Sequence, residues 1–89
     1  MLLIVTTLAI GQSGQEQSGQ RVYDAQCRRC HGSEGRGTNK GPTLVPFKST
    51  YEKVLQQVRH PECEMPSFSQ SEVSDEEIAQ IVAYLKIIK

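Results

Sequence analysis

Five consecutive residues, Cys27-Arg28-Arg29-Cys30-His31, concentrate the reactive side chains of this sequence. Two thiols three residues apart share one side of a helical turn, and an imidazole follows at once. Four chemistries use thiols in this way. Thiol–disulfide exchange at a C-x-x-C pair belongs to a βαβ context, and no segment here alternates as a strand would. A zinc ion takes Cys and His ligands, and Cys63 would complete the set. Cys30 and His31 are sequence neighbours, however, and adjacent residues rarely point at one tetrahedral metal. A disulfide between Cys27 and Cys30 leaves His31 without a role. Covalent haem attachment uses all three: each thiol adds to one vinyl group, and the next residue carries an imidazole beneath the iron. It is the preferred reading.

Three residues are candidates for the opposite side of such an iron: His60, Cys63 and Met65. Met65 is the sole methionine besides Met1 and sits before Pro66, off any apolar helix face. His60 immediately precedes Pro61 at the end of a helical run, as a solvated terminal residue would. Cys63 leaves an odd thiol, which suggests a free reactive group or an intermolecular link.

The elements that must position these groups read as helices. Val22, Tyr23, Cys27 and Cys30 fall on neighbouring parts of one helix face between Gly19 and His31, and Gly32 and Gly35 end that helix. Ser33 to Pro46 is a loop by its turn residues. Ser49-Thr50-Tyr51-Glu52 has the form of a capping box. Tyr51, Val54, Leu55 and Val58 follow at helical spacing until Pro61. Glu62 to Ser71 is a second loop. Ser74-Asp75-Glu76-Glu77 is a second capping box, ahead of an amphipathic run of Ile78, Ile81, Val82, Leu85 and Ile88. The expected fold is all-α, three helices plus short helical turns. Loops this long are unusual in a small domain, so they must wrap something the polypeptide does not itself supply.

Composition points the same way. The chain has 89 residues, 37% of them hydrophobic, and no Trp. A domain of this size buries only about 60% of its unfolded surface, so a staple or cofactor is expected. Ten basic residues balance ten acidic ones, which excludes a strongly basic nucleic-acid binder. No apolar run is long enough for a stable membrane span. Leu2 to Ile10 is apolar and is followed by a Gly/Ser/Gln-rich stretch from Gly11 to Gln20. That pairing reads as an export signal and a flexible linker over residues 1–18, although only the α-amino group is positive ahead of Leu2. The folded domain is expected over residues 19–89, in a periplasmic or otherwise exported location.

Taken in order, these pieces resemble the class I cytochromes c, especially the short bacterial monohaem type. The resemblance rests on Gly19-x-x-x-Tyr23-x-x-x-Cys27-Arg28-Arg29-Cys30-His31-Gly32, Gly41-Pro42-x-Leu44, Arg59 with Met65-Pro66-x-Phe68, and Ser74 through Leu85. It implies a cytochrome c fold wrapped around one covalent haem c. Cys27 and Cys30 would form the thioethers, His31 the proximal ligand and Met65 the distal one. The Pro42 carbonyl would accept the imidazole N–H, and Arg59 matches a position that can meet a haem propionate. Gly19, Tyr23, Tyr84 and Leu85 match the crossing of the first and last helices. Cys63 departs from the family pattern and raises the possibility of a disulfide-linked dimer.

The function so implied is electron transfer and not enzymatic catalysis. With both axial positions filled, an iron exchanges single electrons instead of binding substrate. The alternatives are a haem subunit or dedicated acceptor of a dehydrogenase or oxidase, and a haem sensor with a labile sixth ligand. Transient redox protein partners are expected. Residues 1–60 hold eight basic and four acidic side chains, residues 61–89 two basic and six acidic. Arg28, Arg29, Arg36 and Lys40 gather near the attachment site in sequence.

Overall fold

The computed structural model describes residues 3–62 and 64–88. Among these residues four helices follow one another: α1 (Leu3–Gln26), α2 (Arg28–His31), α3 (Tyr51–Arg59) and α4 (Asp75–Ile87), with a 3-10 turn at Ser33–Gly35. Among the described residues there is no strand, only an isolated bridge between Thr38 and Gly41. The fold is all-α, as the spacing of apolar residues predicts. The expected first helix is divided at Cys27, which accepts from both Cys30 N–H (3.2 Å) and His31 N–H (3.0 Å) and so starts α2.

Helix α1 begins far ahead of Gly19. The stretch from Gly11 to Gln20, read from composition as a flexible linker, is helical. Once α1 is nucleated by its packed C-terminal half, adding residues costs little, because each fixed residue gains a hydrogen bond. Cys63, the odd thiol of the sequence, lies outside the described residues.

Helix α4 is the central element. Ser74 caps it reciprocally: its Oγ accepts from Glu77 N–H (3.1 Å), and Glu77 Oε1 accepts from Ser74 N–H (2.8 Å). Its buried face is Ile78, Ile81, Val82, Tyr84 and Leu85. Against it lies α1, and at the crossing a Cβ on Gly19 would stand 2.0 Å from the Gln80 carbonyl oxygen. Only glycine permits this approach. Tyr23 and Tyr84 meet just beyond, with ring centroids 5.6 Å apart.

Helix α3 starts one residue later than the S-x-x-E pattern suggests. Thr50 is the cap, accepting from Lys53 N–H at 3.2 Å. Lys53 has no acceptor with which to reciprocate, so this is a single cap, not a box. The helix ends at His60, whose φ of −136° and ψ of 70° lie outside the α region, which a following proline disfavours.

The buried cluster is small: Tyr23, Val58, Val73, Ile78, Ile81, Tyr84 and Leu85. Of these, only Tyr23 and Ile78 are large and wholly covered. Tyr23 also donates to the Gly32 carbonyl at 2.6 Å, tying α1 to the turn after α2. Burial, and next the nearby Cys27, push its phenol up to about 12. A phenol whose folded pKa is raised supports the fold fully below its ordinary value near 10, and that support is lost as pH climbs to about 12. Tyr23→Phe is therefore expected to cost about 1–2 kcal/mol at neutral pH, through the lost hydrogen bond, and to flatten the alkaline fall in stability. Urea midpoints of both proteins from neutral to strongly alkaline pH check this.

Candidate functional site

The site grows from the short helix α2. Cys27 and Cys30 are half-buried free thiols on its one turn. Burial, then the neighbouring Cys30, push the Cys27 thiol up to about 11, so in the free chain it is a neutral thiol. His31 Nδ1 lies 2.8 Å from the Pro42 carbonyl oxygen. A carbonyl only accepts, so Nδ1 carries the proton, and Nε2 keeps its lone pair for an external acceptor such as a metal.

The loop that delivers Pro42 is stitched back onto α2. Gly37 N–H donates to the His31 carbonyl (2.6 Å), Thr38 N–H to Gly41 (2.9 Å), and the Thr38 hydroxyl to the Cys30 carbonyl. Gly41 lies so close that a Cβ would sit 2.8 Å from the Cys30 oxygen and 3.2 Å from His31 Nδ1. The loop can press on the histidine only with glycine at this position. Leu44 N–H then bonds to the Gly35 carbonyl at 2.7 Å, which returns the chain to the core.

Met65 is half-buried and packs on the same apolar cluster as Cys27. Gln57 Nε2 reaches its Sδ at 3.7 Å and the Glu62 carbonyl at 3.5 Å. His60 is exposed and lines, with Glu52, Gln56 and Asp75, a shallow groove that Met65 does not line. Arg59 is held by the protein. Its guanidinium donates to the Phe68 carbonyl (3.1 Å), Gln70 Oε1 (2.9 Å) and Asp75 Oδ1 (2.6 Å).

Cys27, Cys30, His31 and Pro42 therefore come together, while Arg59 is placed between α3, the second loop and α4. Sequence reasoning missed Gln57 and the pairing of Asp75 with Arg59. Gln57 carries no sequence signal, being one polar residue on an amphipathic helix. Asp75 reads as an ordinary acid favoured by the helix dipole.

The donor set suits a haem. It offers two reduced thiols on one turn and an imidazole oriented with Nε2 free. Around the small core Leu44, Val45, Phe47, Val54, Leu55 and Phe68 are only partly covered, which is apolar surface of the kind a flat macrocycle covers. Among the described residues, no three His, Cys, Asp or Glu side chains converge as metal ligands.

A family model described as Cytochrome C oxidase, cbb3-type, subunit III matches residues 14–85. No curated protein and no solved structure matches the chain. The matched span takes in the thiol pair, both loops, Met65 and nearly all of α4.

Proposed function

We propose, because this chain belongs to the family described as Cytochrome C oxidase, cbb3-type, subunit III and is a small c-type cytochrome domain, that it is an exported carrier of single electrons. In this reading it holds one haem c, ligated by His31 and Met65. The haem, when bound, supplies a ferrous/ferric couple. Cys27 and Cys30 tether it, so that it cannot be lost by dilution. The Pro42 carbonyl holds the His31 ring in one tautomer and makes Nε2 more basic. Met65 offers a neutral thioether, and this choice over a second imidazole raises the potential. The observation that carries the reading is the 2.8 Å contact between His31 Nδ1 and Pro42, at the end of a C-x-x-C-H turn.

The apolar stretch Leu2 to Ile10, at the start of residues 1–18, acts as the export signal in this proposal. Among the described residues no helix is long and apolar enough to cross a membrane. The exposed Arg28, Arg29 and Lys40 beside the attachment turn favour transient docking to an acidic face of a redox protein. Cys63 is a candidate link between two copies.

The test is spectroscopic. Acid–acetone extraction should leave one haem on the denatured chain, and ferric protein should show the weak red band of a methionine–iron bond. Met65→Ala should abolish that band and lower the potential, whereas His60→Ala should leave both nearly unchanged. If His60→Ala removes the native spectrum and Met65→Ala does not, the ligand is His60 and the carrier is a lower-potential one. The family description favours a second reading, a haem subunit of a larger oxidase. Purification from the native membrane in stable association with a catalytic subunit would select it.

A further inference from the structure

Met65 lies in the segment between α3 and α4, and the last turn of α3 grips that segment at more points than chain connection requires. Phe68 is bracketed on both sides of its own residue. Its N–H donates to the Val58 carbonyl at 2.9 Å, and its carbonyl accepts from Arg59 at 3.1 Å. The same guanidinium reaches Asp75, the first residue of α4, at 2.6 Å. Gln70 Oε1 joins the pair, accepting from Arg59 (2.9 Å) and from Asp75 N–H (3.2 Å). Beyond Phe68 the chain is a tight turn, with Glu72 Oε1 on Ser69 N–H (2.8 Å) and Val73 N–H on the Ser69 carbonyl (2.9 Å). Between the end of α3 and Phe68 lies the short connection that carries Met65, touched by Gln57 at the Glu62 carbonyl (3.5 Å) and at Met65 Sδ (3.7 Å).

We infer that Arg59, braced by Asp75, is a positioning residue that latches the Met65 segment shut. This rests on Met65 being the distal ligand. The side chain of Arg59 is 17% exposed, that of Asp75 55%, so the pair is partly shielded on the arginine side. The bonds to Phe68 and Gln70 add acceptors that a surface ion pair lacks, and surface pairs alone contribute little. The resemblance to class I cytochromes c places Arg59 at a haem propionate. Here three of its five N–H donors go to Phe68, Gln70 and Asp75, which the latch uses whether or not the remaining ones meet a propionate. Releasing the latch removes the hold on the Phe68 carbonyl, Gln70 and Asp75 and leaves Phe68 tied to α3 only by its N–H bond to Val58, so the methionine leaves the iron more often.

Imidazole, which binds ferric iron only where the methionine has left, reads this equilibrium in the haem-loaded protein at neutral pH. Arg59→Met should raise imidazole affinity about tenfold, the loss expected for charge-assisted hydrogen bonds. Asp75→Asn should raise it severalfold, and Arg59→Lys should restore part of the wild-type value. Glu76→Gln, which removes a neighbouring acid from the same helix turn, should leave it unchanged. Asp75→Asn also separates the latch from a propionate role, because Asp75 has no part in the latter. Thermal melts on the same samples should show losses too small to account for the imidazole effect. A methionine band in the wild type, with affinity unchanged in both Arg59→Met and Asp75→Asn, overturns the latch alone. No methionine band in the wild type overturns the ligand assignment and the latch together.

Discussion

Changing both Cys27 and Cys30 to Ala should leave a chain that does not hold its tertiary structure. The reason is the size of the core. Among the described residues seven side chains form the buried cluster, and of these only Tyr23 and Ile78 are large and wholly covered. Ordering each residue costs roughly 1–2 kcal/mol of backbone entropy, and the segments from Arg36 to Thr50 and from His60 to Ser74 must be ordered as well. Their partly covered apolar side chains, Leu44, Val45, Phe47 and Phe68 among them, gain most of their burial from a macrocycle placed against them. Without covalent attachment that surface stays wet. Near-ultraviolet circular dichroism should be lost and the thermal transition should become broad, with residual helix in α4, whose capping box is local. A cooperative melt with native tertiary signal in the double variant would show that the polypeptide core suffices.

Gly19→Ala should weaken the fold by another route. The new methyl carbon would lie 2.0 Å from the Gln80 oxygen and 2.6 Å from the Gln80 carbon, both backbone atoms of α4. Neither can move without moving the helix. The crossing must open, which thins the contact between Tyr23 and Tyr84. Overpacking of this kind costs roughly 3 kcal/mol. The higher helix propensity of Ala returns at most about 1 kcal/mol, so the net loss is about 2 kcal/mol. In a domain of this length that lowers the melting temperature by roughly 8–16 °C. Gly14, five residues earlier on the same helix, faces open space: a Cβ there would meet nothing within 4 Å. Gly14→Ala should therefore change stability in the opposite direction, by up to about 1 kcal/mol. Equal effects at the two positions would mean that the crossing does not set the cost.

The same two glycines show how far sequence reasoning reaches. Both lie in one polar stretch and look alike as linker residues, although the resemblance to class I cytochromes c separates Gly19 as a packing position. Their physical difference is a distance to Gln80, more than sixty residues away in the chain. Helix α1 itself illustrates the reverse error. Composition marks Gly11 to Gln20 as linker, yet packing of the far end onto α4 carries the helix through it. At α3, Ser49 and Thr50 both qualify as caps, and Thr50 takes the role.

What the sequence alone determined is what spacing along one helical turn can decide. The thiols of Cys27 and Cys30 share a turn with His31 after them because 3.6 residues complete it. Ser74 and Glu77 close their capping box across the same separation. The helices α3 and α4 follow from apolar residues three and four apart. Tertiary structure decided the pairings that join distant segments. Pro42 on His31 was implied by resemblance but reaches its 2.8 Å only through the loop stitched to α2. The contacts of Arg59 with Phe68, Gln70 and Asp75 were set by how α3 meets the start of α4. A side chain's local geometry is written in its near neighbours. Which of several acceptors a long, charged side chain finds depends on which helix ends the folded core brings within its reach.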